Sequence, residues 1–150
     1  MTVTRRQARE WAIQMLTAAD INPPDDIPAF IALQWEQLGT LEQDFGGPAK
    51  AKGKIKSFTE ERVVGVLGAL SELDKVIASY LDNWDIYRLG TVERAVLRLG
   101  VWEIAHSDVP APVVINEAID LVNWFSSPKS RTLVNAVLDK FAKSRNGQND

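Results

Sequence analysis

The fold of this chain is decided by residues 91–142, which read TVERAVLRLGVWEIAHSDVPAPVVINEAIDLVNWFSSPKSRTLVNAVLDKFA. In the first part of this stretch, apolar residues recur with the i, i+3, i+4, i+7 spacing of a helix face, at Val92, Ala95, Val96 and Leu99. A second apolar stripe lies on the opposite side and consists of Leu97, Val101 and Ile104. A helix that is apolar on two faces is buried between neighbouring helices. We therefore predict a central helix here, with Thr91 as its N-cap.

Two further helices are predicted within the same stretch. The first begins at Pro112, because proline is tolerated where the backbone N–H has no helical partner, and its apolar set is Ile115, Ala118, Ile119, Val122 and Phe125. The second begins at Pro128 after the N-cap residue Ser127, and it buries Val134, Val137, Leu138 and Phe141. Connections this short favour neighbouring, roughly antiparallel helices.

The remainder of the chain is also predicted to be helical. A first helix covers residues 4–19, where Thr4 and Gln7 have capping-box spacing. A proline-rich loop over residues 22–28 precedes a second helix that starts near residue 29. Residues 46–57, GGPAKAKGKIKS, predict a basic linker, and Ser57 with Glu60 predicts the capped start of a long helix over residues 58–82. The prediction is an all-α protein with six or seven helices in two helical subdomains.

Length and composition indicate one ordinary globular domain over residues 1–150 with a polar tail over 144–150. The chain is 45% hydrophobic and 25% charged, and its net charge is −3. It has no run of about 20 apolar residues, so no membrane span is predicted, and its first residues do not resemble a secretory signal. The absence of cysteine excludes disulfides and thiolate sites. We expect a cytoplasmic protein.

The residue types that catalysis needs are not grouped in this sequence. Nucleophilic catalysis requires a nucleophile beside a positioned base, and no such arrangement is visible. The only histidine, His106, lies near a predicted helix C-terminus, where it is expected to cap carbonyl groups. One histidine without cysteine argues against a transition-metal site. We therefore predict a binding protein, with no catalytic residues, no metal and no cofactor.

The distribution of charge suggests where binding occurs. No lysine or arginine occurs from residue 10 to residue 47, whereas basic residues cluster on both sides, at Arg5, Arg6, Arg9, Lys50, Lys52, Lys54 and Lys56. Basic clusters on an acidic protein indicate a confined polyanion site, although chance segregation gives the same pattern. The lysines could form a flexible basic arm or simply a solvated loop, and Trp11 could stack on a base or belong to the core.

Several segments, in order along the chain, resemble the NusB family of bacterial transcription antitermination factors. They are RRQARE at 5–10, VERAVLR at 92–98, DVP at 108–110, INEAIDL at 115–121 and LVNAVLDK at 133–140. The resemblance covers nearly the whole chain apart from residues 20–57. It implies an all-helical fold of two perpendicular helical subdomains.

The resemblance also implies a function and a set of residues. Proteins of this family pair with a small-subunit ribosomal protein, called NusE in this role, and bind the boxA element of nascent RNA. Their complex helps RNA polymerase to read through terminators, notably in ribosomal RNA operons. By position, Arg5, Arg6 and Arg9 are then expected to contact RNA, and Glu93 is expected to lie near the RNA or partner surface.

The sequence departs from the family pattern at two places. Thr17 stands where an aromatic residue is usual, and residues 129–133 lack the usual acidic residue and aromatic. Lys129 and Arg131 add positive charge there, so we predict that they extend the RNA-binding surface at the start of the last helix, whose N-terminus favours phosphate. Two alternatives stay open: a helical scaffold for protein partners, and the RNA-binding module of a ribosomal RNA methyltransferase, which requires a following α/β domain.

Overall fold

The computed structural model describes residues 4–45, 49–82, 85–125 and 127–148. Within these ranges the chain forms seven α-helices and a short 3-10 helix (Ile86–Arg88), with no strand. The α-helices are α1 (Arg5–Ile21), α2 (Ile27–Phe45), α3 (Ala49–Gly68), α4 (Leu70–Ser79), α5 (Thr91–His106), α6 (Ala111–Phe125) and α7 (Pro128–Gln148). The all-α prediction is confirmed. None of the helices in the described ranges is both long and apolar enough to cross a membrane.

The chain divides into two compact units, residues 1–67 (unit 1) and residues 68–150 (unit 2). The predicted basic linker over residues 46–57 is wrong for residues 49–57, which form the first part of α3, while residues 46–48 lie outside the described ranges. Alanine and lysine are good helix formers, and a single interior glycine costs only about 1 kcal/mol, so Gly53 does not stop the helix. The polar tail predicted from residue 144 likewise continues α7 as far as Gln148.

The long helix predicted over residues 58–82 is divided in two. It starts earlier than predicted, so Ser57 lies inside α3 and is not an N-cap. It is interrupted at Ala69, whose φ of −126° and ψ of 19° leave the helical region, and it resumes as α4. The apolar residues of this stretch are nevertheless largely buried, since Val63, Val66, Leu73, Ile77 and Leu81 are each at most 4% exposed.

In unit 2, α5 is the central helix, as predicted. Ten consecutive residues of α5, residues 94–103, are buried, and the helix packs against α4, α6 and α7. The approach to α7 is close at Gly100, where an added Cβ would meet both δ carbons of Leu138 at 2.9 Å. The N-cap is Gly90 and not Thr91, which is the first helical residue. The four apolar residues predicted to be buried on α7 are all at most 8% exposed.

Two of the buried residues of α5 are arginines, and both are held by hydrogen bonds within unit 2. Arg98 donates from Nε and Nη2 to the two carboxylate oxygens of Asp74 on α4, at 2.8 and 2.9 Å. Arg94 donates from Nη1 to the carbonyl oxygens of Leu89 and Ile86, at 2.9 and 3.3 Å. A bidentate arginine–carboxylate pair fixes both position and orientation, so these arginines connect α5 to the elements before it.

In unit 1, α1 is anchored at its start and along its buried side. The Thr4 hydroxyl oxygen accepts a hydrogen bond from the Gln7 backbone N–H at 3.2 Å, as the capping spacing predicts. One apolar face of α1 is buried and comprises Ala8, Trp11, Ala12, Met15 and Leu16. Thr59 of α3, which is fully buried, donates to the carbonyl oxygens of Ile55 at 2.9 Å and Ala8 at 3.3 Å. This last bond joins α3 directly to the first turns of α1.

Candidate nucleic-acid interface

The three predicted RNA-contacting arginines of α1 differ in exposure. Arg5 and Arg6 lie in the first turn and are exposed. Arg9, one turn further along, is only 3% exposed. A guanidinium this deeply buried does not reach a ligand at the surface in this conformation. Of the three arginines predicted to contact RNA, Arg5 and Arg6 are therefore the two that can do so directly. Cations in a first turn oppose the helix dipole, and an anion bound there would relieve this.

Phe58 of α3 connects these arginines to a fourth one. The guanidinium carbon of Arg62 lies 3.4 Å from the centroid of the Phe58 ring, and those of Arg5 and Arg9 each lie 5.2 Å from it. Arg62 is 3% exposed, and its Nη1 donates to the Phe58 carbonyl oxygen at 3.4 Å. We call Arg5, Arg9, Phe58 and Arg62 the Phe58 cluster. Three guanidinium groups thus lie within cation–π distance of one ring.

The part of this cluster that α3 provides was not predicted from the sequence. Phe58 and Arg62 are four residues apart and therefore lie on the same face of α3. This spacing is the feature of the sequence from which the pair could have been predicted. The predicted linker up to residue 57 instead placed Phe58 at the start of a helix, where it has no preceding turn.

Beside Phe58 the surface of α3 forms a shallow depression of about 530 Å³, lined by Gly53, Lys54, Ser57, Phe58 and Glu61. Lys54 is exposed and adds positive charge there, whereas Glu61 adds a negative one. The flexible-arm interpretation of the lysines does not hold for residues 49–57, because they are helical. Lys56 lies with its Nζ 5.6 Å from the centroid of the Trp35 ring.

Trp11 belongs to the core, which is the second of the two roles considered for it from the sequence. It is 9% exposed and meets Trp35 of α2 edge to face, with ring centroids 5.6 Å apart at 83°. Trp35 is held in place by the hydrogen bond from its Nε1 to Glu60 at 2.8 Å. At Thr17 the hydroxyl oxygen is buried and has no hydrogen-bond partner among the described residues. Neither residue offers an exposed stacking surface near the α1 arginines.

The three predicted site residues of unit 2 lie close together at the starts of α5 and α7. Ser130, which lies between Lys129 and Arg131, donates from Oγ to Glu93 Oε1 at 2.9 Å. The Glu93 carboxylate also lies against Gly90, where an added Cβ would clash with it. Lys129 and Arg131 are exposed in the first turns of α7, and Glu93 is half-buried. Glu93 thus has a structural role of its own, and its partner-binding role stays a prediction.

The C-terminus of α5 is not capped in the way the sequence predicted. The Ser107 hydroxyl donates to the Glu103 carbonyl oxygen at 2.8 Å. Arg145 donates from Nη2 to the Ala105 carbonyl oxygen at 3.4 Å. The exposed His106 ring instead lies 5.6 Å from the ring of Trp102. In the described part of the chain no three histidine, aspartate or glutamate side chains are grouped as a metal ion would need.

The chain is all-helical, with arginines at the start of one helix and a lysine and an arginine at the start of another. These features define a helical protein suited to binding a polyanion. The family model described as the NusB family matches residues 6–143. The chain therefore belongs to the NusB family, and the resemblance of its sequence motifs is confirmed.

Individual relatives agree with this assignment. The transcription antitermination protein NusB of Treponema denticola is 37% identical over 142 residues, which cover 93% of this chain and 96% of the relative. The protein of the same name from Nitratiruptor sp. is 34% identical over 145 residues, which cover 96% of both chains.

Solved structures agree as well. NusB of T. maritima has a TM-score of 0.78 and 28% sequence identity, covering 95% of this chain and 93% of that one. A chain in the crystal structure of antitermination factors NusB and NusE in complex with dsRNA has a TM-score of 0.74 and 27% identity, covering 93% of this chain and 96% of that one.

Proposed function

We propose that this chain is a transcription antitermination factor that binds boxA-type RNA together with a small-subunit ribosomal protein acting as NusE. The observation that carries the proposal is the cationic site at the start of α1, in a chain whose fold matches that of a NusB bound to NusE and RNA. The proposed role is non-catalytic. It places the protein in the cytoplasm, within the antitermination complex of RNA polymerase.

In this proposal Arg5 and Arg6 bind phosphate groups of the RNA. Both are exposed in the first turn of α1, where the helix N-terminus and the guanidinium groups both attract anions. Arg9 acts from below the surface, by packing against Phe58. This assignment keeps all three arginines in the site but gives Arg9 a supporting role.

The proposal extends to unit 2. Lys129 and Arg131 are exposed in the first turns of α7, where backbone N–H groups at the helix N-terminus add to their attraction for phosphate. Glu93 accepts a hydrogen bond from Ser130, which lies between Lys129 and Arg131 in the sequence. Glu93 is proposed to lie at the edge of the surface that contacts NusE.

The test is a titration of the protein with boxA-type RNA and, in parallel, with scrambled RNA of equal length. Each titration is done with and without the ribosomal partner, and binding is measured by tryptophan fluorescence. Because the similar solved complex contains dsRNA, both single-stranded and duplex forms are needed. Three to five phosphate contacts predict a log K against log salt slope of roughly −2 to −3.5 for a single strand. A flat salt response would favour a scaffold that binds only proteins.

Variants identify the site. R5A/R6A is expected to weaken boxA binding by tenfold or more, because each charge-assisted hydrogen bond contributes roughly 1.5–3 kcal/mol. The matched control is K75A/K143A, which removes two exposed positive charges from unit 2, outside the proposed contacts. A separate double variant, K129A/R131A, tests unit 2, and unchanged affinity there would remove these two residues from the site.

A further inference from the structure

We propose that Phe58 and Arg62 of α3 are positioning residues of the RNA site, which hold Arg5 in the orientation that binds phosphate. This inference rests on the proposed function and adds to it two residues far from α1 in sequence. It concerns how the exposed arginine is presented, and it assigns no RNA contact to Arg62, which is 3% exposed.

A guanidinium group can interact in two ways. Its flat face attracts an aromatic ring, whereas its N–H groups point outward in the plane and bind phosphate as a fork. Arg5 lies at cation–π distance from Phe58, 5.2 Å from guanidinium carbon to ring centroid. A cation–π contact forms no hydrogen bond, so the N–H groups of Arg5 can still donate to phosphate. The ring therefore restrains Arg5 without taking a hydrogen bond that RNA would need.

Phe58 is itself fixed, so the restraint is not made by a loose side chain. Arg62 lies 3.4 Å from the ring centroid and donates to the carbonyl oxygen of Phe58. Arg9 approaches the same ring from α1 at 5.2 Å. The neighbouring residue Thr59 bonds to the Ala8 carbonyl oxygen at 3.3 Å, which keeps α3 against the first turns of α1. Packing and a hydrogen bond thus locate the ring relative to Arg5.

Restraining a long side chain before binding reduces the entropy lost when the ligand arrives. Phe58 is half-buried and lines the depression that contains Lys54. Loss of the ring should therefore weaken RNA binding through Arg5, although Phe58 need not contact the RNA.

The experiment is a double-mutant cycle on boxA-type RNA binding by the full chain. Phe58→Leu keeps an apolar side chain but removes the π face, and it is expected to weaken binding roughly three- to tenfold and to make the salt slope shallower by up to about 0.7, the contribution of one phosphate contact to a single strand. Phe58→Tyr keeps the face and should retain wild-type affinity. If Phe58 acts through Arg5, then F58L should have little further effect in an R5A background.

The outcomes distinguish this inference from the proposed function. If R5A weakens binding but F58L does not, or if the two losses are additive, the positioning role is overturned while the function stands. If R5A/R6A has no effect on RNA binding, the proposed site itself fails. Circular dichroism at the titration temperature establishes that each variant is folded.

A measurement on the unaltered protein covers the case in which F58L does not fold. The Nε–H order parameter of Arg5, from ¹⁵N relaxation, should exceed that of Arg88, which is an exposed arginine in unit 2. Equal order parameters would overturn the proposal.

Discussion

Each unit of this protein contains two buried arginines, and the units hold them in different ways. In unit 2, Arg98 is bonded to the Asp74 carboxylate, and Arg94 is bonded to two backbone carbonyl oxygens. In unit 1, Arg9 and Arg62 lie against one phenyl ring, together with the exposed Arg5. Arg94 also lies 5.0 Å from the centroid of the Tyr87 ring, and Arg62 also donates a hydrogen bond to the Phe58 carbonyl oxygen. The clear contrast is therefore between Arg98, which is paired with a carboxylate, and the three arginines that share the Phe58 ring.

This difference separates a structural from a functional use of the same residue type. Hydrogen bonds to a carboxylate neutralise the cation and fix the helix that carries it. Packing on a ring restrains a cation without supplying a counter-charge. The Arg98–Asp74 pair therefore stabilises unit 2, whereas the Phe58 ring restrains the exposed Arg5 at the start of α1. Substitutions in the two units should consequently differ in whether they change stability or RNA binding.

The largest expected effect comes from breaking the ion pair of unit 2. Asp74→Ala leaves Arg98, whose side chain is 5% exposed, in the core without its carboxylate, and should lower the free energy of unfolding by about 3 kcal/mol. Urea denaturation measures this loss, and RNA affinity below the transition should stay at the wild-type value. The control is Lys143→Ala, which removes an exposed pair with Asp139 and should cost at most about 0.5 kcal/mol. Equal losses for the two variants would contradict the structural role of Arg98.

A smaller loss is expected at the closest approach of α5 and α7. Gly100→Ala would place a methyl group 2.9 Å from both δ carbons of Leu138, which is fully buried. Overpacking of this kind costs about 1–3 kcal/mol. The change in thermal midpoint measures it, and a variant that also carries Leu138→Val should recover part of the loss because it makes room. A neutral G100A would mean that the two helices are further apart.

The smallest effect should have the opposite sign and lies in unit 1. An added Cβ at Gly53 meets no atom within 4 Å, so Gly53→Ala should stabilise the protein by about 0.5–1 kcal/mol through helix propensity. A gain is expected if residues 49–57 are helical, whereas Gly53→Ala in a flexible linker should leave the free energy of unfolding unchanged, so the same denaturation experiment tests the helix. Loss of stability in G53A would contradict the helical assignment.

The sequence was most informative where burial and periodicity agree. In residues 91–142 two apolar stripes and two N-terminal prolines predicted the starts of α5, α6 and α7 to within one residue. The two stripes also identified α5 as the central helix, because such a helix has apolar neighbours on both sides. The start of α3 was misread because glycine, proline and lysine together suggest a loop, whereas alanine and lysine are also good helix formers.

The Phe58 cluster could not be predicted in full, because it depends on contacts between α1 and α3. Residues 5 and 62 are far apart in the chain, and no periodicity within one helix shows that they share a ring. Arg9 was expected at the surface because arginine is rarely buried. Its guanidinium carbon lies 5.2 Å from the centroid of the Phe58 ring, a contact that depends on the packing of α3 against α1.

The short distance between Gly90 and Glu93 has a consequence for how this protein can vary. A side chain at position 90 would displace the Glu93 carboxylate, which is the acceptor for Ser130 at the start of α7. Because that carboxylate is the end of a flexible side chain, Gly90→Ala should be accommodated by a movement of Glu93 at the expense of its hydrogen bond to Ser130. The glycine at position 90 thus preserves a contact between the starts of α5 and α7 in which it takes no part itself.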